Sequence, residues 1–137
     1  MSRAFSPAIG LVLGLGIGLL AGCGDSSAEI QPSAGCADVI AVKVTPEVGS
    51  SEGDSTYRFD VTVSSDDQGW EKYADWWEVL DEDGSRLGQR LLTHPHDTEQ
   101  PFTRSQSGIP VGGEQVIVRA HDSQLGYCGA TMEVAVP

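Results

Sequence analysis

From residue 37 to residue 137 apolar and polar residues alternate repeatedly, and no stretch of useful length repeats every three to four positions. A period of two marks a strand with one buried face, so a chain patterned this way is confined to sheets. The breaks fall at Gly, Pro, Asp and Ser clusters, which read as turns between strands. In the clearest run Tyr57, Phe59, Val61 and Val63 face inward, against Arg58, Asp60 and Thr62. Ahead of it a first strand carries Ile40, Val42 and Val44 on one face and ends at Pro46. A third spans Tyr73 to Leu80 with Trp77 and Val79 on a shared face, and the turn Asp81-Glu82-Asp83-Gly84 leads to a fourth with Leu87, Leu91 and Leu92. A fifth, from about Pro101 to Ser107, has Phe102 as its one large apolar residue. Val116, Val118 and Ala120 alternate with Ile117, Arg119 and His121 in a sixth, and Met132, Val134 and Val136 form a seventh. Seven short strands in so small a domain predict an all-β fold, an immunoglobulin-like or fibronectin-like β-sandwich.

The N-terminal segment follows another logic. Arg3 precedes a 12-residue apolar run from Ile9 to Leu20, within the usual length of a signal-peptide core. It falls short of the roughly 20 residues needed to span a bilayer, and glycines at 10, 14, 16 and 18 weaken it as a helix. Leu20-Ala21-Gly22-Cys23 closes the run and resembles the bacterial lipobox at all four positions. That resemblance implies a diacylglycerol thioether on Cys23, cleavage after Gly22, and acylation of the new amino terminus. Each buried methylene contributes about 0.8 kcal/mol, so two or three chains hold far more firmly than one. Residues 24–35, rich in Ser, Gly, Ala and Asp, read as a flexible tether. The expected organisation is therefore a cleaved signal peptide at 1–22, the lipidated cysteine and tether at 23–35, and a sandwich domain at 36–137.

With Cys23 consumed by lipid, Cys36 and Cys128 remain, and in an oxidising compartment an even pair is expected to form a disulfide. Up-and-down strand alternation brings both to one end of the sandwich. The bridge would close a loop of about 90 residues, contributing roughly 4–5 kcal/mol in the chain-entropy model. It supplies a constraint that so small a core needs. The same alternation brings the loops 64–72, 94–100 and 121–129 to that end, together with all three histidines.

Charge excludes one class of partner. Twenty acidic residues against eight basic ones give a net charge of −12, and loss of Arg3 leaves seven basic residues scattered among acids. A nucleic-acid binder needs a basic stripe to release counterions from the phosphate backbone. An acidic surface that keeps an exported protein soluble is the expected role of this charge.

The run Tyr73-Ala74-Asp75-Trp76-Trp77-Glu78-Val79, with Asp83-Gly84, Leu87-Gly88, His94-Pro95-His96 and Glu99 to Ser105, resembles a group of small bacterial exported proteins. The resemblance implies one exported sandwich domain and carries over no catalytic residue.

His94-Pro95-His96 is the strongest chemical signal. Alternate residues of an extended segment point the same way about 7 Å apart, a span one metal ion can bridge. Glu99, His121 and Asp122 would complete the shell, and imidazoles with a carboxylate suit Zn²⁺ or Cu²⁺. The competing reading makes these polar loop residues, stiffened by Pro95 and Pro101, with Glu99 paired to Arg104. Asp81 to Gly84 lacks the 12-residue frame and closing Glu of an EF-hand and is expected to be a hairpin turn. Asp66 and Asp67 are expected in a solvated acidic turn. Trp70, Tyr73, Trp76 and Trp77 concentrate aromatics in one segment; Trp77 is expected in the core, and an exposed Trp76 would favour carbohydrate or protein contacts.

The cysteines are committed, and no carboxylate spacing indicates acid–base chemistry. The leading expectation is a non-enzymatic, lipid-anchored lipoprotein on the extracytoplasmic side, periplasmic or cell-surface, with a structural role or an envelope protein or carbohydrate partner. The alternative is an envelope protein that binds a transition metal through the histidine end.

Overall fold

The structure is a computed structural model, and it describes residues 34–48 and 55–137. The expected signal segment, Cys23 and most of the expected tether lie outside the described residues. Seven strands form: β1 (Asp38–Pro46), β2 (Thr56–Ser64), β3 (Ala74–Leu80), β4 (Arg86–Leu91), β5 (Phe102–Pro110), β6 (Gln115–Asp122) and β7 (Met132–Ala135). They build two antiparallel sheets, in the orders β1-β2-β5 and β4-β3-β6-β7, and no helix occurs among the described residues. β1 lies along β6 and β7 at one margin and β4 along β5 at the other, consistent with the expected sandwich.

Strict alternation places the core. Phe59, Val61 and Val63 of β2 meet Trp77 and Val79 of β3 and Val116, Val118 and Ala120 of β6 in one cluster. Trp77, Phe59 and Phe102 are among its largest fully buried side chains, and each such apolar side chain contributes roughly 1.5–3 kcal/mol relative to exposure.

Three strands depart from the sequence pattern, each for a local reason. In β1 the register against β2 shifts between Val39 and Ala41, a bulge that turns Ile40 outward. Val39, Val42 and Val44 supply the inward face instead. β5 continues to Pro110, because a second irregularity opposite Tyr57 and Phe59 restores Ile109 to the core after the alternation has lapsed. On β4, Leu91 is exposed, and the burial expected of it falls to Leu92 just beyond the strand.

The β3–β4 hairpin shows why Asp81 begins the turn. Its carboxylate accepts from the N–H groups of Asp83 and Ser85, and Gly84 adopts a positive φ of 85° that side chains rarely tolerate.

Cys36 and Cys128 are bonded, with Cα atoms 5.6 Å apart. The bridge ties the entry of β1 to the segment before β7, across the margin between the two sheets. Main-chain and side-chain bonds reinforce it. Val39 N–H donates to the Ala130 carbonyl at 2.9 Å, and Ala130 N–H donates to the Asp38 carboxylate at 2.6 Å. Gly129 lies so close to Ala37 that a Cβ would collide with the Ala37 carbonyl.

Candidate functional site

At the end where the chain enters, three connections meet as expected, and two carboxylates hold them together. Asp67 accepts from Ser65 Oγ at 2.7 Å, Ala74 N–H at 2.9 Å and His96 N–H at 2.8 Å. It thereby joins the β2–β3 connection to the β4–β5 connection. The solvated turn expected at this position is thus a buried hub, although Asp66 beside it is exposed. Asp122, fully buried, accepts from Lys72 Nζ at 2.7 Å and from the N–H groups of Gln124 and Leu125, each at 2.9 Å. Lys72 Nζ also donates to the carbonyls of Gly35, at 2.6 Å, and Asp66, at 3.2 Å. Burial alone would push the Asp122 carboxyl up. The Lys72 ammonium and the two N–H donors outweigh it and hold the carboxyl below the ordinary aspartate range.

The metal shell read from sequence does not assemble. Among the described residues no group of three or more His, Cys, Asp and Glu side chains is placed to hold a metal ion. His94 and His96 are neighbours, their rings 4.4 Å apart. The other three candidates are drawn elsewhere by strand parity and pairing. β6 extends through His121 and Asp122, so the alternation that buries Val118 and Ala120 turns His121 to the outer face and Asp122 inward. His121 Nδ1 lies 2.6 Å from Asp75 Oδ1; Asp122 binds Lys72, and Glu99 pairs with Arg104 at 3.2 Å. The polar-loop reading of Glu99 holds.

His96 is buried, stacked on Phe102 with ring centroids 3.8 Å apart and planes 9° from parallel. Burial, with the nearby charges of Arg104 and His94, pushes its imidazole below the ordinary histidine range despite Asp67 and Glu99.

A second polar cluster lies on the outer face of the four-stranded sheet, formed by residues that alternate with the core positions. Trp76 stacks on His121 with centroids 3.6 Å apart and planes 7° from parallel. Its indole N–H donates to the Tyr127 hydroxyl at 2.9 Å. The Tyr127 ring stands edge-on to both and covers Arg119, whose guanidinium carbon is 3.7 Å from the ring centroid. Arg119 and Arg86 donate to opposite oxygens of Glu78, at 2.7 and 2.5 Å, and the Glu78 side chain is almost fully buried. Burial raises the Glu78 carboxyl, but Arg119, Tyr127 and Arg86 together hold it below the ordinary glutamate range. Trp76 is thus half-covered by His121 of its own sheet and by Tyr127 of the β6–β7 connection. The aromatic run from Trp70 to Trp77 signalled this cluster; nothing in the local pattern signalled Glu78, whose partners lie 8 and 41 residues away.

Comparison with known proteins adds one relative. A protein of Halomicrobium mukohataei named "Putative lipoprotein" is 47% identical to this chain over 85 residues, 61% of this chain and 42% of the relative. The chain therefore spans less than half of that relative's length. No family model matches the chain, and no solved structure matches it.

Proposed function

We propose that the chain is an exported lipoprotein: a non-catalytic sandwich domain of immunoglobulin-like or fibronectin-like type, held at a membrane through Cys23. Its role is structural or partner-binding. The observation that carries this reading is the fastening of the entry point. Where the tether ends, the Gly35 carbonyl is held by Lys72 and Cys36 is covalently joined to Cys128. Tension transmitted from a lipid anchor would thus meet a covalent bond and a buried ammonium before it reached the β1 ladder. The disulfide also suits an oxidising, extracytoplasmic compartment, and the similarity to a protein named as a lipoprotein supports the same assignment.

The strand order, with β3 and β6 paired at the centre of a four-stranded sheet flanked by β4 and β7, and with three strands opposite, supports the sandwich type. A binding role is favoured over turnover because the buried carboxylates Asp67, Glu78 and Asp122 each serve as acceptors for several fixed donors. Carboxylates held in this way are poor general bases. For a partner, the outer face of Trp76, His121, Tyr127 and Arg119 offers a rigid aromatic surface of the kind used for protein or carbohydrate contacts.

Fractionation of cells expressing the full chain tests the anchor. The protein is expected in the membrane fraction, and Cys23→Ala should release it with the Cys36–Cys128 bridge intact. Membrane retention of the Cys23→Ala variant would refute the reading.

A further inference from the structure

Four buried side-chain nitrogens among the described residues lack any hydrogen-bond partner: Trp77 Nε1, Arg90 Nε and both ring nitrogens of His96. Three of the four belong to residues lining one cavity, at the junction of β4 with the β4–β5 connection. A stranded polar nitrogen costs roughly 1–3 kcal/mol, so three around one space indicate a polar occupant. The cavity, of about 60 Å³, is bordered by Arg90, His94, His96 and Arg104. By this measure one water needs roughly 10–15 Å³, which leaves room for a group of about four or five heavy atoms.

The sign of the charge selects the occupant. Two guanidinium groups and two imidazoles face this space in a chain of net charge −12. The Arg90 side chain has no ion-pair or hydrogen-bond partner among the described residues. Arg104 shares its charge with Glu99, which is more than half exposed, and lies beside the Phe102 ring. Asp67 is the carboxylate nearest His96, 3.9 Å from its Nδ1, and three donors already occupy it. A cation held by His94 and His96 would sit against two guanidinium charges; an oxyanion would meet donors on several sides.

We propose that this cavity is an oxyanion site, in which Arg90, Arg104 and the His96 ring hold a phosphate or sulfate group, free or as the terminal group of a larger molecule. The proposal stands independently of the lipid anchor. It gives the His94-Pro95-His96 segment a ligand of the opposite charge to the metal first read from its sequence. His96, 97% buried and stacked on Phe102, is the fixed wall of the site; Arg90 supplies the unshared charge.

Thermal unfolding of the full chain, purified in detergent, tests it. Sodium phosphate, sodium sulfate and glycerol 3-phosphate are titrated in turn, with sodium chloride holding ionic strength constant. A saturable rise in Tm is expected with phosphate and sulfate. A stronger response to glycerol 3-phosphate would identify a phosphomonoester of a larger molecule as the source. Arg90→Gln, and separately His96→Phe, which keeps a ring against Phe102, should each weaken binding about tenfold or more. Arg104→Gln provides a second charge removal should either variant fail to fold. Lys43→Gln, which removes one exposed charge on β1, should leave affinity unchanged. No saturable response, a response matched by chloride, or binding undiminished by Arg90→Gln and Arg104→Gln would overturn the proposal. So would stabilisation by Zn²⁺ that disappears in His94→Ala.

Discussion

Removing the Asp122 carboxylate should cost more stability than removing any exposed charge of the domain. The side chain is fully buried and accepts three hydrogen bonds, from Lys72, Gln124 and Leu125. Asp122→Ala strands the Lys72 ammonium, whose side chain is only 11% exposed and which keeps two carbonyl acceptors. Breaking a buried pair from one side costs about 3–5 kcal/mol, because the remaining charge stays desolvated. Against a total stability of about 5–15 kcal/mol for a domain of this size, that is a large fraction. Urea unfolding followed by tryptophan fluorescence reads the change, since Trp77 is buried in the core. With a slope of about 1–3 kcal/mol per molar urea, the midpoint should fall by at least 1 M. Lys72→Met in the Asp122→Ala background removes the stranded charge, so the double variant should be no less stable than Asp122→Ala alone, with a coupling of about 2 kcal/mol or more. A loss below about 1 kcal/mol for Asp122→Ala, or strict additivity in the double variant, would refute the argument.

Replacing both Cys36 and Cys128 with Ser opens a loop of 92 residues and should cost about 4–5 kcal/mol, read as a lower urea midpoint. Gly129→Ala forces a Cβ into the Ala37 carbonyl and should destabilise the domain by more than about 1 kcal/mol, whereas Gly112→Ala, where a Cβ meets nothing, should not. The Asp122 and Glu78 carboxyls are held below their ordinary ranges in the folded state. Their contribution is therefore fully present above pH about 4.5 and lost as pH falls through the depressed folded values. Acid titration monitored by circular dichroism should show stability falling below about pH 4.5, and a Glu78→Gln variant should show a shallower fall. Stability unchanged down to pH 3 would contradict this assignment.

Where burial alone decides the pattern, the fold was legible. β2 and β6 alternate without interruption, so Phe59, Val61, Val63, Val116 and Val118 were assigned to the core from sequence and are found there. Elimination left Cys36 and Cys128 to pair, and they do. Bulges were invisible: one extra residue in β1 reverses the parity of Ile40, and the irregularity in β5 hides Ile109 behind Ser107 and Gly108. The histidine end was half legible. Loop order brought the connections together, but parity at the end of β6 separated His121 from His94 and His96. Asp67, Lys72 and Glu78 gave no local signal, because a buried charge is defined by partners distant in sequence: Lys72 meets Asp122 across 50 residues, and Asp67 meets His96 across 29.

The central claim, that this domain is a lipoprotein anchored by its first mature residue, is tested most directly by mass spectrometry of the N-terminal peptide from membrane-fraction protein. The account predicts a chain beginning at Cys23, with that cysteine carrying a diacylglycerol thioether and its amino group acylated. A peptide running through Gly22 into an unmodified Cys23 would contradict it.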